Sequence, residues 1–287
     1  MQVWGAIEAG GSKFVCGVGT RPQDFQSVVI PTTAPEPTIA AVVAWFEGWL
    51  RDNPGSRLGG LGIGSFGPVD INVKSPTWGF ITSTPKAGWR NFDFALTLRK
   101  ALKTVVQFNS DVNASILGEA RWGAARGVSN CLYLTVGTGI GGGALSSGQL
   151  LEGVSHPEMG HIRVPHDLAR DSFPGACPYH GDCLEGLASG PAIEARWGVS
   201  PAEMPADHPG WILESQYLAC AIANFACTFS PQRVLLGGGV MRQPVLFEMI
   251  RPEVARLLGG YVAVPEILPP ELGQRAGVLG ALALAIG

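Results

Sequence analysis

Residues 132–145 read LYLTVGTGIGGGAL, which is an apolar run, a glycine-rich turn and a second apolar run. The same arrangement occurs earlier in the chain, where residues 3–7 and 14–18 flank a glycine turn at residues 9–12. Short apolar runs bounded by glycine are typical of β-strands in a hairpin. We therefore predict a duplicated architecture of two α/β halves, each of which begins with such a hairpin.

The repeat also predicts the domain boundaries. Apolar residues at helical spacing follow each hairpin, as expected for α/β halves. We place an N-terminal domain at residues 1–112 and expect the C-terminal helix, residues 276–287, to rejoin it. The C-terminal domain then comprises residues 113–275 and includes the histidine-rich and cysteine-rich segment 156–186.

The composition is that of a folded, core-rich protein. Of the 287 residues, 46% are hydrophobic and 15% charged, which argues against a disordered chain. The net charge of −3 and the lack of a basic run argue against nucleic-acid binding. We expect no signal peptide, no membrane span and a cytoplasmic location. Cysteines outside segment 156–186 lie in apolar surroundings and are expected to be reduced core residues: Cys16, Cys131, Cys220 and Cys227.

Three glycine turns point to phosphate binding. A single such turn more often serves only the hairpin, but three in one chain favour a ligand. Glycine lets backbone N–H groups point at phosphate oxygens, and a lysine and a threonine can add a cation and a hydroxyl. Neither a P-loop nor a Rossmann motif is present. The predicted nucleotide-binding residues are Gly10, Gly11, Ser12, Lys13, Thr138, Gly139, Gly237, Gly238 and Gly239.

Segment 156–186 holds four of the five histidines and a Cys177-x-x-His180-x-x-Cys183 pattern. With His161 upstream, two thiolates and two imidazoles would form a closed tetrahedral zinc shell, which is typical of a structural site. The alternative is that these are scattered core and surface residues. His156 and His166 have no evident partner and are expected in loops or at the surface.

Seven motifs stand in order along the chain, and together they are highly specific. They are EAGGSK (8–13), GIGSFGPVD (62–70), TPKAGW (84–89), SDVNA (110–114), GTGIG (137–141), HPEMGH (156–161) and CPYHGDCLEG (177–186). This set resembles the ROK family (repressors, open reading frames, sugar kinases), and is most similar to its fructokinase branch. The resemblance implies two ribonuclease-H-like, actin-like ATPase domains of the α/β class, with an active-site cleft between the domains.

The resemblance also implies site residues. The same four side chains, His161, Cys177, His180 and Cys183, are implied as zinc ligands, although another branch of the family has C-x-C-G-x-x-G-C. The zinc would fix neighbouring carboxylates that accept hydrogen bonds from a sugar. His161 could bind zinc through one ring nitrogen and the sugar through the other. The implied sugar-binding residues are Gly67, Asn109, Asp111, Glu158, His161 and Glu185.

Asp111 follows a predicted strand and opens a predicted helix. Position alone favours a helix cap, whereas the family motif at this residue implies the catalytic base. Glu8 stands where most of the family has an aspartate that helps to hold Mg²⁺, so it is implied as a magnesium ligand with a longer side chain.

The predicted function is an ATP-dependent fructokinase that phosphorylates the 6-hydroxyl of D-fructose. Its cofactors would be ATP, Mg²⁺ and a structural Zn²⁺, and the family suggests a homodimer. One alternative is a ROK hexokinase that prefers mannose, glucose, allose or N-acetylmannosamine. A second is a non-catalytic sugar-binding regulator, and a third is a zinc hydrolase, against which a closed ligand shell argues.

Overall fold

The structure, a computed structural model, describes all 287 residues and divides them into two compact units. Unit 1 comprises Met1–Arg126, Glu152–His156 and Glu271–Gly287. Unit 2 comprises Gly127–Leu151 and Pro157–Pro270.

Unit 1 is built on one five-stranded sheet. Its strands, in sheet order, are β3 (Gln26–Pro31), β2 (Lys13–Gly19), β1 (Gln2–Ala9), β4 (Arg57–Ser65) and β7 (Val106–Ser110). The first three run antiparallel, and β4 and β7 run parallel to β1. Its helices are α1 (Pro35–Asp52), α2 (Phe94–Leu102), α3 (Asp111–Trp122) and α8 (Ala276–Ile286). Two short strands, β5 (Phe80–Ile81) and β6 (Phe92–Asp93), form a separate antiparallel sheet.

Helix α8 covers the centre of this sheet and packs closely against α3. Gly280 has no room for a Cβ beside the Ala114 carbonyl, and a Cβ on Gly118 would lie 2.8 Å from the Gly280 nitrogen. Gly62 of β4 meets the carbonyl of Ala281 in the same way. Because these glycines have no side chains, the C-terminal helix α8 can lie directly on strand β4 and helix α3.

Unit 2 has a sheet of the same order. Its strands are β10 (Gln149–Leu150), β9 (Ile140–Ser146), β8 (Cys131–Val136), β11 (Arg233–Gly237) and β12 (Glu266–Leu268). The hairpin is antiparallel, and β11 and β12 run parallel to β8. Its helices are α4 (Leu184–Ala188), α5 (Gly190–Trp197), α6 (Gly210–Phe229) and α7 (Val245–Leu258).

The predicted duplication of the hairpin is therefore present. In each unit an antiparallel hairpin pairs with two parallel strands, so that β8 and β9 correspond to β1 and β2. None of the helices is both long enough and apolar enough to cross a bilayer. Cys16 and Cys131 are buried as expected, but Cys227 is exposed, so its predicted core position is wrong.

The chain divides between the units at other residues than predicted. The first boundary follows Arg126 instead of residue 112, because α3 packs against α8 and is contained in unit 1. The short segment Glu152–His156 also belongs to unit 1. Two hydrogen bonds attach it there, from Asn109 to Glu152 and from the Val69 nitrogen to His156.

Candidate functional site

The four predicted zinc ligands come together in unit 2. One ligand atom from each of His161, Cys177, His180 and Cys183 lies within 4.8 Å of every other. Nδ1 of His161 is 3.8 Å from the Cys177 sulfur and 3.5 Å from the Cys183 sulfur, and Nδ1 of His180 is 3.6 Å from the Cys177 sulfur. Each histidine therefore directs its Nδ1 atom towards the cysteine sulfurs.

These distances fit a zinc ion. With Zn–S bonds of about 2.3 Å and Zn–N bonds of about 2.0–2.1 Å, tetrahedral ligand atoms lie roughly 3.3–3.8 Å apart. Burial, together with the nearby Cys177, raises the pKa of the Cys183 thiol to about 11. A cation that binds both sulfurs would remove the proton and relieve this cost.

A tight turn folds the ligands onto each other. The backbone of Cys177 exchanges two hydrogen bonds with Gly181, whose φ of +65° is in the region that glycine adopts most readily. We call residues 177–183 the ligand loop. Cys183 then precedes α4, whose first turn carries Glu185.

Glu185 connects the ligand loop to a glycine turn. One carboxylate oxygen, Oε2, accepts a hydrogen bond of 2.9 Å from the Ile140 nitrogen, and the other, Oε1, is 4.0 Å from Nε2 of His161. A Cβ on Gly139 would lie 2.7 Å from Oε2 of Glu185. A predicted sugar-binding carboxylate therefore touches the turn predicted to bind phosphate. The other predicted sugar-binding glutamate, Glu158, is exposed and lies three residues before His161.

The second and third glycine turns also lie together in unit 2. Gly238 has a φ of +94° and no room for a Cβ beside the carbonyl of Val136, which ends β8. The nitrogen of Gly239 is 3.8 Å from the place of a Cβ on Gly137. Thr138, Gly238 and Gly239 are exposed, which leaves their polar atoms accessible to a ligand.

The first glycine turn lies in unit 1. The Gly10 nitrogen donates to the Lys13 carbonyl at 2.9 Å, and the Thr32 hydroxyl donates to the Gly10 carbonyl. Gly11, Ser12 and Lys13 are exposed at its tip.

Asp111 opens α3 directly after β7. The helix cap is Ser110, whose hydroxyl accepts from the Asn113 nitrogen at 3.3 Å. Because Ser110 supplies the cap, the alternative interpretation of Asp111 as the cap loses its basis. Asp111 lies in the first helical turn, where a carboxylate is stabilised by the helix dipole, and its Oδ1 accepts from the Val112 nitrogen.

Asn109 is buried, and its side-chain amide already has three protein partners. Oδ1 accepts from the Ser110 nitrogen and from Nδ2 of Asn113, and Nδ2 donates to Glu152 at 2.8 Å. Its sugar-binding role stays a prediction. Gly67 lies beside His156, whose ring would be 3.5 Å from a Cβ at this glycine.

The sequence model of the ROK family matches residues 4–287. This chain belongs to the ROK family.

Named relatives of this ROK chain cover nearly its whole length. It is 42% identical over 286 residues to the fructokinase of Pediococcus pentosaceus, covering 98% of this chain and 96% of that protein. It is 40% identical over 293 residues to the fructokinase of Streptococcus mutans, covering 99% and 97%. A solved structure, the ROK hexokinase from Thermus thermophilus, superposes with a TM-score of 0.84 at 30% identity, covering 99% and 98%. The predicted family and α/β, actin-like ATPase fold are confirmed.

Glu8 of this ROK chain lies at the end of β1 and is largely buried. Burial and, to a smaller extent, the carboxylate of Asp111 raise the pKa of its carboxyl to about 7, against the opposing effects of Lys13 and the Val278 nitrogen. Gly277, at the start of α8, leaves room for the carboxyl group. Two carboxylates that repel each other suit a hard cation with oxygen ligands, so the donor set fits Mg²⁺.

We expect Glu8→Gln to remove a pH dependence of stability. Below about pH 4.5 the carboxyl is protonated in both the folded and the unfolded chain, so it does not lower the free energy of unfolding. Between pH 4.5 and 7 the Glu8 carboxyl ionises only in the unfolded chain. The wild-type free energy of unfolding therefore falls, in total by up to about 3 kcal/mol. Urea unfolding at pH 5 and pH 8, in a chelating buffer, measures this difference.

The matched control is Glu47→Gln, at an exposed position in the middle of α1. It should keep the wild-type change in stability between the two pH values. Equal pH dependence in Glu8→Gln and the wild type would contradict the buried, proton-holding state of Glu8.

The two histidines predicted in loops or at the surface do lie in irregular segments, but their side chains are buried. His156 accepts from the Val69 nitrogen at 3.2 Å, and His166 lies between two aspartates. A cavity of about 340 Å³ adjoins His166 in unit 2, between residues 165–171 and helices α6 and α7, and includes no predicted site residue. No local pattern marks His156, because its partner Val69 is 87 residues away in the sequence.

Proposed function

We propose that this ROK chain is an ATP-dependent fructokinase, which transfers the γ-phosphoryl group of ATP to the 6-hydroxyl of D-fructose. The products are fructose 6-phosphate and ADP. The observation that carries the proposal is the full-length identity of 40–42% to two proteins named as fructokinases. The contacts of Asp111, His161 and Glu185 also support it.

Asp111 is the proposed catalytic base. Phosphoryl transfer needs alignment, charge neutralisation and a group that accepts the proton of the attacking hydroxyl. Asp111 does not cap the helix, and it is half-buried. Its Oδ1 accepts a hydrogen bond from the Val112 nitrogen, which gives that carboxylate oxygen a fixed direction. In this role it takes the proton from the sugar hydroxyl as the new bond to phosphorus forms.

The glycine turns are proposed to hold ATP. Exposed backbone N–H groups at residues 10–13 and 137–139 would bind phosphate oxygens, and residues 237–239 would lie on the adenosine side. Bound Mg²⁺ would supply positive charge to the β- and γ-phosphates. Glu8 is proposed as the residue of this chain that holds the ion, through its carboxylate.

The sugar is proposed to contact Glu158, His161, Glu185, Asn109 and the loop that contains Gly67. His161 has the geometry for a double role, since Nδ1 faces the cysteine sulfurs and Nε2 turns towards Glu185. A bound zinc would fix the ligand loop in one conformation. Glu185 is fixed at the other side by the Ile140 nitrogen, so its carboxylate is positioned to accept from sugar hydroxyls.

The direct test is a coupled ADP-release assay with MgATP and a panel of fructose, mannose, glucose, allose and N-acetylmannosamine. We expect the highest kcat/KM with fructose. ADP release that is independent of sugar would reveal only ATP hydrolysis. A higher kcat/KM with another hexose would keep the kinase and overturn the fructokinase proposal.

The second candidate is a hexokinase of broader preference, because the Thermus thermophilus relative at 30% identity is named a ROK hexokinase. Sugar binding without ADP release from any hexose would instead favour a regulator. The homodimer and the cytoplasmic location stay predictions. Sedimentation analysis of the purified protein tests the dimer.

A further inference from the structure

His166 lies beneath the ligand loop, and both of its ring nitrogens have partners. Its side chain is only 5% exposed. Nδ1 is 3.3 Å from Oδ2 of Asp182, and Nε2 is 3.0 Å from the carbonyl oxygen of Asp171. A histidine held at both nitrogens has one fixed ring orientation.

On one side, this histidine is attached to the ligand loop itself. Asp182 is a member of the loop and immediately precedes the ligand Cys183. Its other carboxylate oxygen pairs with the guanidinium of Arg163, and the backbone of Arg163 forms an isolated antiparallel bridge with Cys183. Two contacts therefore fix the chain beside a zinc ligand.

On the other side, Asp171 attaches the histidine to helices α5 and α6. The Tyr217 hydroxyl donates to its Oδ2 at 2.7 Å, and Nε of Arg196 donates to its Oδ1 at 3.1 Å. Burial raises the pKa of Asp171, but the bonds from Tyr217 and Arg196 outweigh burial and hold that pKa below its usual range. Asp171 is therefore an ionised and strong acceptor.

Arg196 pairs with Asp171, and a second acid, Glu214, lies close enough for the charge of Arg196 to lower its pKa. Glu214 lies on α6 and is buried, and its carboxyl oxygens have no hydrogen-bond partner. Burial raises its pKa well above the usual range. Arg196 is itself packed against the ring of Phe173, 4.6 Å from its centroid. Arg196 and Asp171 thus form a buried ion pair beside Glu214.

We propose that His166 and Asp171 are positioning residues that fix the ligand loop to α5 and α6 and so preorganise the four zinc ligands. The inference rests on the zinc site of the proposed function and uses no sugar or nucleotide contact. The ligand loop, which carries three of the four ligands, loses conformational freedom when an ion binds, and a loop already held in place loses less. Partners beyond the ligands themselves commonly change metal affinity by about 10–100-fold.

The test is the rate at which the zinc-loaded protein releases its ion to an excess of a chromogenic chelator. We expect His166→Gln and Asp182→Asn each to release zinc roughly tenfold faster than the wild type. The double variant should be no faster than the faster single variant, because both changes break the same link. The control is Gln216→Ala, which lines the same cavity, bonds Arg170 and lies outside the network.

Cobalt-loaded protein gives a second readout, which a general loss of stability would not move. The visible bands of tetrahedral Co²⁺ depend on ligand geometry, so they should shift in folded His166→Gln and stay unchanged in Gln216→Ala. Unchanged zinc release and unchanged cobalt bands in folded His166→Gln and Asp182→Asn would overturn the proposal. A wild-type protein that binds no zinc would overturn it too, whereas loss of sugar turnover alone would contradict only the kinase function.

Discussion

Asp111→Asn is expected to lower sugar-dependent ADP release by about two to four orders of magnitude, the usual contribution of a positioned general base. The amide keeps the size of the carboxylate and can still accept from the Val112 nitrogen. It cannot take a proton from the sugar hydroxyl. The measurement is kcat and KM for fructose and ATP under saturating Mg²⁺, and the fall should appear in kcat.

The matched control is Asp93→Asn. Asp93 also begins a helix of unit 1, where its side chain caps α2 by accepting from the Leu96 nitrogen at 3.2 Å. Asparagine caps helices about as well as aspartate, so this variant should turn over normally. A folded Asp111→Asn protein with near-normal kcat would remove Asp111 from the chemistry.

Cys177→Ser is expected to abolish both zinc binding and sugar turnover. The sulfur of Cys177 lies within 3.8 Å of both ligand histidines, so its loss opens the shell on the side of His161 and His180. The ligand loop then loses the ion that fixes it, and Glu185 on the adjoining helix loses its fixed position. Elemental analysis should find about one zinc per wild-type chain and none in the variant.

The exposed Cys227 provides the control, since Cys227→Ser should keep both the zinc and the activity. Reconstitution separates a structural ion from a catalytic one. If the zinc only shapes the loop, Co²⁺ or Cd²⁺ should restore turnover with an unchanged pH profile, because the shell has no place for a bound water. Full activity in zinc-free protein would contradict the proposed role of the loop.

The glycine hairpins and the zinc ligands were open to prediction because their signals are local. Apolar runs beside glycine mark both hairpins, and the Cys177 and Cys183 spacing marks the loop. Strand β3 gave no such signal, since it is an edge strand with one buried residue, Ile30. Its sequence lacks the alternation that a half-buried strand shows.

The rest of the site depended on contacts between distant parts of the chain. His156 meets the Val69 nitrogen across 87 residues, and nothing near either residue indicates this pairing. The cap of α3 was ambiguous for a different reason, because Ser110 and Asp111 both favour that position and only geometry separates them. The first unit boundary followed from the packing of α3 on α8, which periodicity does not describe.

The close packing of α8 against β4 and α3 has a consequence for biosynthesis. The ribosome makes β1, β2 and β4 first, but their covering helix emerges only after all of unit 2 has been synthesised. Unit 2 is continuous from Pro157 to Pro270 and needs only its early hairpin to be complete, so it can fold before unit 1 closes. Nascent unit 1 therefore leaves exposed the apolar face that Ala281 and Leu282 later cover, until α8 is synthesised.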